Sequence, residues 1–265
     1  MIKGIDVSSL QGTINWQAVA ATGIEFCVIR CYVGNNGIDS MYATNVAGAK
    51  AAGINVMAYN FIFPLPTNHI GDNRDPISQA RLHFNATNGE LAAVDCEWPV
   101  QADFAKWGCS PAQINQWMII YFQEYTRLDN GRKPLIYTYP NWAQTIHLDP
   151  SFAQYPLWIA SYEPTPTIPA PFTDWTLWQD SGGTGANAGH LPNGAPVDTD
   201  KAKDLSLWQP VAVTPAPAPP PAPPMPDPVV APPPPDPVVV PVVPTPPVSS
   251  NIFSSIVAVL TNFFK

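Results

Sequence analysis

Leu91-Ala92-Ala93-Val94-Asp95-Cys96-Glu97-Trp98-Pro99 is the most informative stretch of the chain. The apolar run has no helix caps, follows Asn88-Gly89 and stops at Pro99, so it reads as a buried strand. Side chains alternate along a strand, which puts Asp95 and Glu97 on one face and Cys96 on the other. Two acids held side by side repel each other when both are charged. Their proton affinities are pushed apart, leaving one protonated and one ionised.

On its own such a pair also has an ordinary reading, as two acids facing water or a metal. As chemistry, a proton donor beside an ionised carboxylate is what cleavage of a sugar acetal requires. Asp95 and Glu97 are therefore the candidate catalytic pair.

Outward from this strand, apolar runs alternate with helical patterns. Strands are expected at 2–7, 26–33, 55–62, 91–97, 134–139, 157–162, 175–179 and 196–199. Helices are expected at 16–21, 39–52, 73–86 and from Pro111 to about Arg127, with a short one near 142–146. Ser110-Pro111 supplies an N-cap and a first-turn proline for the long helix. Strand–helix alternation over about 200 residues implies a parallel α/β barrel, irregular where the late helices are missing. In such a barrel the site lies at the C-terminal strand ends, where Asp6, Asp95 and Glu97 fall.

Composition limits the alternatives. Of 34 prolines in 265 residues, 19 lie between Pro210 and Pro247, leaving 15 in the first 209 residues. The expected organisation is one domain over 1–209, a proline-rich linker over 210–250 and an end piece over 251–265. Net charge is −8, with no basic stripe, so nucleic acid is not an expected partner. Cys27, Cys31, Cys96 and Cys109 lack zinc-ligand spacing and read as reduced thiols, with a Cys96–Cys109 disulfide as the alternative. His69, His83, His147 and His190 make no metal-binding pattern and read as surface residues. No metal or cofactor is expected. The start at Met1-Ile2-Lys3-Gly4 enters a strand directly and carries no export signal, which implies synthesis in the cytoplasm.

The chain resembles the glycoside hydrolase family 25 lysozymes, N-acetylmuramidases common among phage endolysins. The resemblance runs through Gly4-Ile5-Asp6-Val7-Ser8-Ser9, Gln11-Gly12, Ile14-Asn15-Trp16, Phe26-Cys27-Val28-Ile29-Arg30 and Ala51-Ala52-Gly53-Ile54. It continues in Ala58-Tyr59-Asn60-Phe61, Val94-Asp95-Cys96-Glu97, Leu157 to Tyr162, Leu177-Trp178-Gln179 and Val197-Asp198. It implies an irregular barrel with fewer helices than strands, acting on bacterial peptidoglycan between N-acetylmuramic acid and N-acetylglucosamine after release to the wall. It places the general acid on Glu97, its partner carboxylate on Asp95 and further acids on Asp6 and Asp198, with Asp200 as a rival to the last. Asn60 stands where the family often has His. The competing expectation is an inactive barrel kept as a wall-binding or virion module.

Aromatic side chains at strand ends stack on sugars, so Tyr59, Tyr137, Trp158, Tyr162 and Trp178 are the candidate groove residues. Arg30, charged and mid-strand, requires a buried carboxylate, for which Asp6 and Asp95 are the candidates, or else contacts substrate. Asp6 has a bland reading as a helix cap for the segment starting near Thr13, although Thr13 itself is better placed for that. The proline-rich arm is expected to be extended, reaching on the order of 100 Å. Residues 251–265 read as an amphipathic helix, too short to span a bilayer. Its expected role is binding a protein partner or self-association, ahead of membrane contact and of packing back onto the domain.

Overall fold

The computed structural model describes residues 1–34, 37–65, 75–183 and 188–208. The proline-rich arm, the end piece and His69 lie outside the described residues. Eight strands close into a barrel: β1 (Ile2–Val7), β2 (Phe26–Val33), β3 (Asn55–Phe61), β4 (Leu91–Asp95), β5 (Leu135–Thr138), β6 (Leu157–Ala160), β7 (Leu177–Gly182) and β9 (Pro196–Ala202). The two-residue β8 (Gly189–His190) hangs on β9 as a hairpin arm.

Strands β1 to β7 pair in parallel and in sequence order. The closing strand β9 runs antiparallel to both β7 and β1, which corrects the expectation of an all-parallel barrel. Among the described residues no helix connects β7 to β9, and a parallel return needs a long crossover, usually helical. The reversal has a consequence for the site. The beginning of β9, with Asp198, lies at the same barrel end as the C-terminal ends of the other strands, directly opposite Asp6.

The helices are α1 (Trp16–Ala21), α2 (Tyr42–Ala51), α3 (Pro76–Thr87), α4 (Phe104–Trp107), α5 (Pro111–Leu128) and α6 (Pro140–Thr145). Ser110 caps α5, its hydroxyl accepting from Gln113 N. Asn15 caps α1, not Thr13: the Asn15 side chain accepts from Ala18 N at 3.1 Å. The expected helices begin three residues early at α2 and α3, because Asp and Asn favour the turn before a helix over its interior.

After α6 no α-helix covers the outside of the described barrel. Trp175 and Trp178 cover it instead, with Lys203 at 4.9 Å and Lys201 at 4.3 Å from their ring centroids. Long lysine stems shield apolar surface while their ammonium groups stay in contact with water.

The period of two sorts the strands into two cores. Phe26, Val28, Met57, Ala93, Leu135, Leu177 and Ala202 fill the barrel. Val7, Cys27, Ile29, Val56 and Ala58 face outward under α1 and α2. The barrel floor is closed by Phe26 against Trp208, ring centroids 5.1 Å apart, with Trp208 Nε1 donating to Val56 O. Gly4 points inward at this level, where a Cβ would lie 2.2 Å from Phe26 Cζ. Gly4→Ala is therefore expected to cost about 1–3 kcal/mol by overpacking, measured by urea unfolding. Adding Phe26→Leu should recover part of the loss.

Candidate active site

Strand parity gathers the acids. Asp6 on β1, Asp95 on β4, and Asp198 and Asp200 on β9 share the inward register of the barrel-filling residues. Strand β4 ends at Asp95, but Cys96 N still donates to Tyr137 O at 2.9 Å. Cys96 is fully buried. Glu97, half-buried, continues on the side of Asp95 and interacts electrostatically with it and with Asp198.

Five carboxyls in one barrel mouth cannot all be charged. Burial, then the charge of Asp198, raises Glu97 to about 7. Burial, then Asp6, raises Asp198 to about 8. Asp6 is pushed well above the usual carboxylate range by burial and by Asp200, to which it is also hydrogen-bonded. Asp200 is raised mainly by burial, partly offset by Trp158 Nε1, which donates to its Oδ1 at 2.8 Å. Burial and Glu97 raise Asp95 too, while Arg30 pulls it down. The Asp95–Glu97 pair thus holds a proton near neutral pH. Arg30 is the one neighbour that favours charge on Asp95, against burial, Glu97 and Asp6, which all oppose it. Asp95 Oδ1 is buried without a hydrogen-bond partner among the described residues.

Asp6 caps no helix. Its Oδ2 accepts from Gln179 Nε2 at 2.8 Å, and the same nitrogen donates to Asp198 Oδ2 at 3.3 Å. Tyr59, Tyr137 and Trp158 line the inward face above the floor, Tyr59 edge-on to Trp158 with centroids 6.0 Å apart. Tyr162 stands at the rim, 58% exposed.

Trp178 is not in the groove. One residue before the inward Gln179, it faces outward, buried under Lys201 and Trp175, and its Nε1 donates to Ser161 O at 2.6 Å. Arg30 pairs neither with Asp6 nor with Asp95: both Nε and Nη2 reach Asp39 Oδ2 at 2.9 Å. Asn60 is outward as well, its Nδ2 donating to the Tyr121 hydroxyl beneath α5, so it makes no groove contact. His83 corrects the surface reading. It is fully buried, its Nδ1 lies 2.7 Å from the Tyr121 hydroxyl, and burial lowers it to about 3. All four cysteines are free and buried.

Two residues, Gln179 and Asp39, were passed over in the sequence, and Asp200 was weighed only as a rival to Asp198. Gln179 and Asp200 share the inward parity of Leu177 and Asp198, a legible signal. Asp39 had none, since only the chain path brings it to Arg30. No metal-binding group of three or more ligands occurs among the described residues.

An α/β barrel with an acid pair on one strand and aromatic walls has the architecture of the acid-pair glycosidases. The family described as glycosyl hydrolases family 25 matches residues 5–186, and the chain belongs to it. Lysozyme M1 of Streptomyces globisporus is 31% identical over 184 residues, covering 68% of this chain and 62% of that protein. The autolytic lysozyme of Clostridium acetobutylicum is 30% identical over 189 residues, covering 71% of this chain and 53% of that protein. The chain therefore spans less than two thirds of either. The bacterial lysozyme from Streptomyces coelicolor has a solved structure that matches with a TM-score of 0.65 at 27% identity, over 78% of this chain and 94% of that one.

Proposed function

We propose that the barrel is a lysozyme, hydrolysing the β-1,4 bond between N-acetylmuramic acid and N-acetylglucosamine in bacterial peptidoglycan. The observation that carries this reading is a half-buried Glu97 holding its proton near neutral pH beside Asp95, in a family whose relatives include lysozymes. Glu97 gives its proton to the leaving glycosidic oxygen. Asp95 steadies the positive charge that develops on the sugar as the bond breaks. Asp6 and Asp198 orient the substrate and set the field around Glu97. Tyr162 offers its exposed ring to the glycan and Tyr59 and Tyr137 line the wall beside it, while Trp158 is buried behind them and supports their rings.

The test is digestion of purified cell walls followed by identification of the new reducing ends. Muramic acid at those ends is the expected result. Glucosamine ends would overturn the bond assignment. Wall binding without cleavage would favour the inactive module.

Activity should also fall as pH rises through about 7, because the donor must be protonated and Glu97 loses its proton there. A pH profile of kcat/KM that stays flat from 5 to 9 would remove Glu97 from that role. The endolysin setting belongs to the same proposal and is supported by family resemblance.

A further inference from the structure

Gln179 is 2% exposed, and every hydrogen-bonding position of its amide is filled. Its carbonyl accepts from the hydroxyls of Tyr137 and Tyr162, both at 3.0 Å. Its NH2 donates to Asp6 at 2.8 Å and to Asp198 at 3.3 Å. An amide has two donor hydrogens and two acceptor lone pairs, so none is spare. Reversing the amide would set its oxygen against two carboxyls and its N–H groups against two hydroxyl donors. One orientation is fixed.

We propose that Gln179 is the positioning residue of the acid cluster, clamping Asp6 to Asp198 and linking both to the rim residue Tyr162. The proposal rests on the hydrolase reading for its kinetic consequences, though not for its geometry. Asp6 and Asp198 are direct cross-strand partners of β1 and β9, a position where like charges repel. One NH2 group between them gives each an N–H. Tyr162 is the only member of the network that is largely exposed, so a sugar stacked on its ring touches a group already bonded to the clamp.

Gly182 is a second, independent sign that this link is built in. A Cβ at that position would lie 2.5 Å from the Tyr162 hydroxyl. Its backbone is not in the left-handed region, so glycine is required there for room and not for conformation. Without that room the Tyr162 hydroxyl could not lie along β7 to reach Gln179.

The test compares Gln179→Leu, Tyr162→Phe and the double variant by two readouts. The first, independent of activity, is titration of the Asp6 carboxyl by carbon NMR. Gln179→Leu should raise its midpoint, since a donor to the charged form is lost. Tyr162→Phe should move it the same way by less. The second readout is kcat and KM on soluble wall fragments. A hydrogen bond to a charged group is worth about 1.5–3 kcal/mol, so kcat should fall about tenfold or more in Gln179→Leu, with KM changed about twofold at most. Tyr162→Phe keeps the ring and should lower kcat by less, and it should have no further effect in the Gln179→Leu background.

An unmoved Asp6 midpoint in both single variants would overturn the clamp. So would a Tyr162→Phe loss of equal size with and without Gln179. If Gln179→Leu does not fold, Tyr162→Phe, at the rim, still decides by its Asp6 midpoint. If the wild type hydrolyses nothing, the hydrolase reading fails while the titration still tests the clamp.

Discussion

Replacing Glu97 with Gln is expected to lower turnover of cell walls by about 10³-fold, within the range for loss of a general acid, while making the protein more stable above neutral pH. Glutamine keeps the shape of the side chain but has no proton to give. The stability change follows from the same environment. Native Glu97 binds its proton up to about 7, against an ordinary 4.5. Between those values the folded protein holds more protons than the unfolded chain, so rising pH removes stability. Above about 7 the loss from this group is complete. Each tenfold change in proton affinity is about 1.4 kcal/mol, so the Glu97→Gln protein should gain about 1–3 kcal/mol at pH 8. The gap should close toward pH 4, where the wild-type side chain is protonated in both states. Reducing-end assays and unfolding curves at the two pH values measure both effects. Activity retained in the variant would show that another group donates the proton, and a stability gain absent at pH 8 would show that Glu97 is not held in a penalising site.

The second large effect is expected at Asp39, far from the acids in sequence. Its Oδ2 takes Arg30 Nε and Nη2 at 2.9 Å and Ser9 N at 3.0 Å, and its Oδ1 takes Met41 N at 2.9 Å. Asp39→Ala would leave the buried guanidinium with Ser9 Oγ, at 3.3 Å, as its remaining hydrogen-bond partner among the described residues. Breaking one side of a buried ion pair costs about 3–5 kcal/mol. In a domain of this size that lowers the melting point by on the order of 10 °C. The double replacement Arg30→Leu with Asp39→Leu should recover most of the loss, because an apolar pair removes both charges together. Urea unfolding of the three proteins is the measurement. A loss under about 1 kcal/mol for Asp39→Ala would mean that water reaches the guanidinium and the pair behaves as a surface pair.

Sequence pattern carried the strands well, because a buried strand has a strict period and a short length. Leu91 to Glu97 could be read as a strand from its apolar run and its flanks alone, two residues beyond the end of β4 at Asp95. Parity then predicted that Asp95 and Glu97 would share a side, and it also contained the answers missed at Trp178 and Gln179. Adjacent residues of a strand face opposite ways, so an inward Gln179 requires an outward Trp178. Aromatic character suggested a sugar platform, but facing is set by register.

Other features had no local signal. The partner of Arg30 is nine residues away across a turn, and which acid it meets depends on how that turn folds back. His83 lies on a helix with polar neighbours, and its burial comes from α5 packing over α3. The antiparallel direction of β9 is seen only in its pairing with β7 and β1, and this places Asp198 opposite Asp6.

The sequence by itself determined the alternating barrel strands, the acid pair at the end of β4 and the family, since these follow from periodicity and from short motifs. Only the tertiary structure decided how many protons the acids share, which amide clamps them and which aromatic rings reach the groove. Those properties arise from burial and from contacts between strands as far apart as β1, β7 and β9, and a linear pattern carries no record of distance or of dielectric.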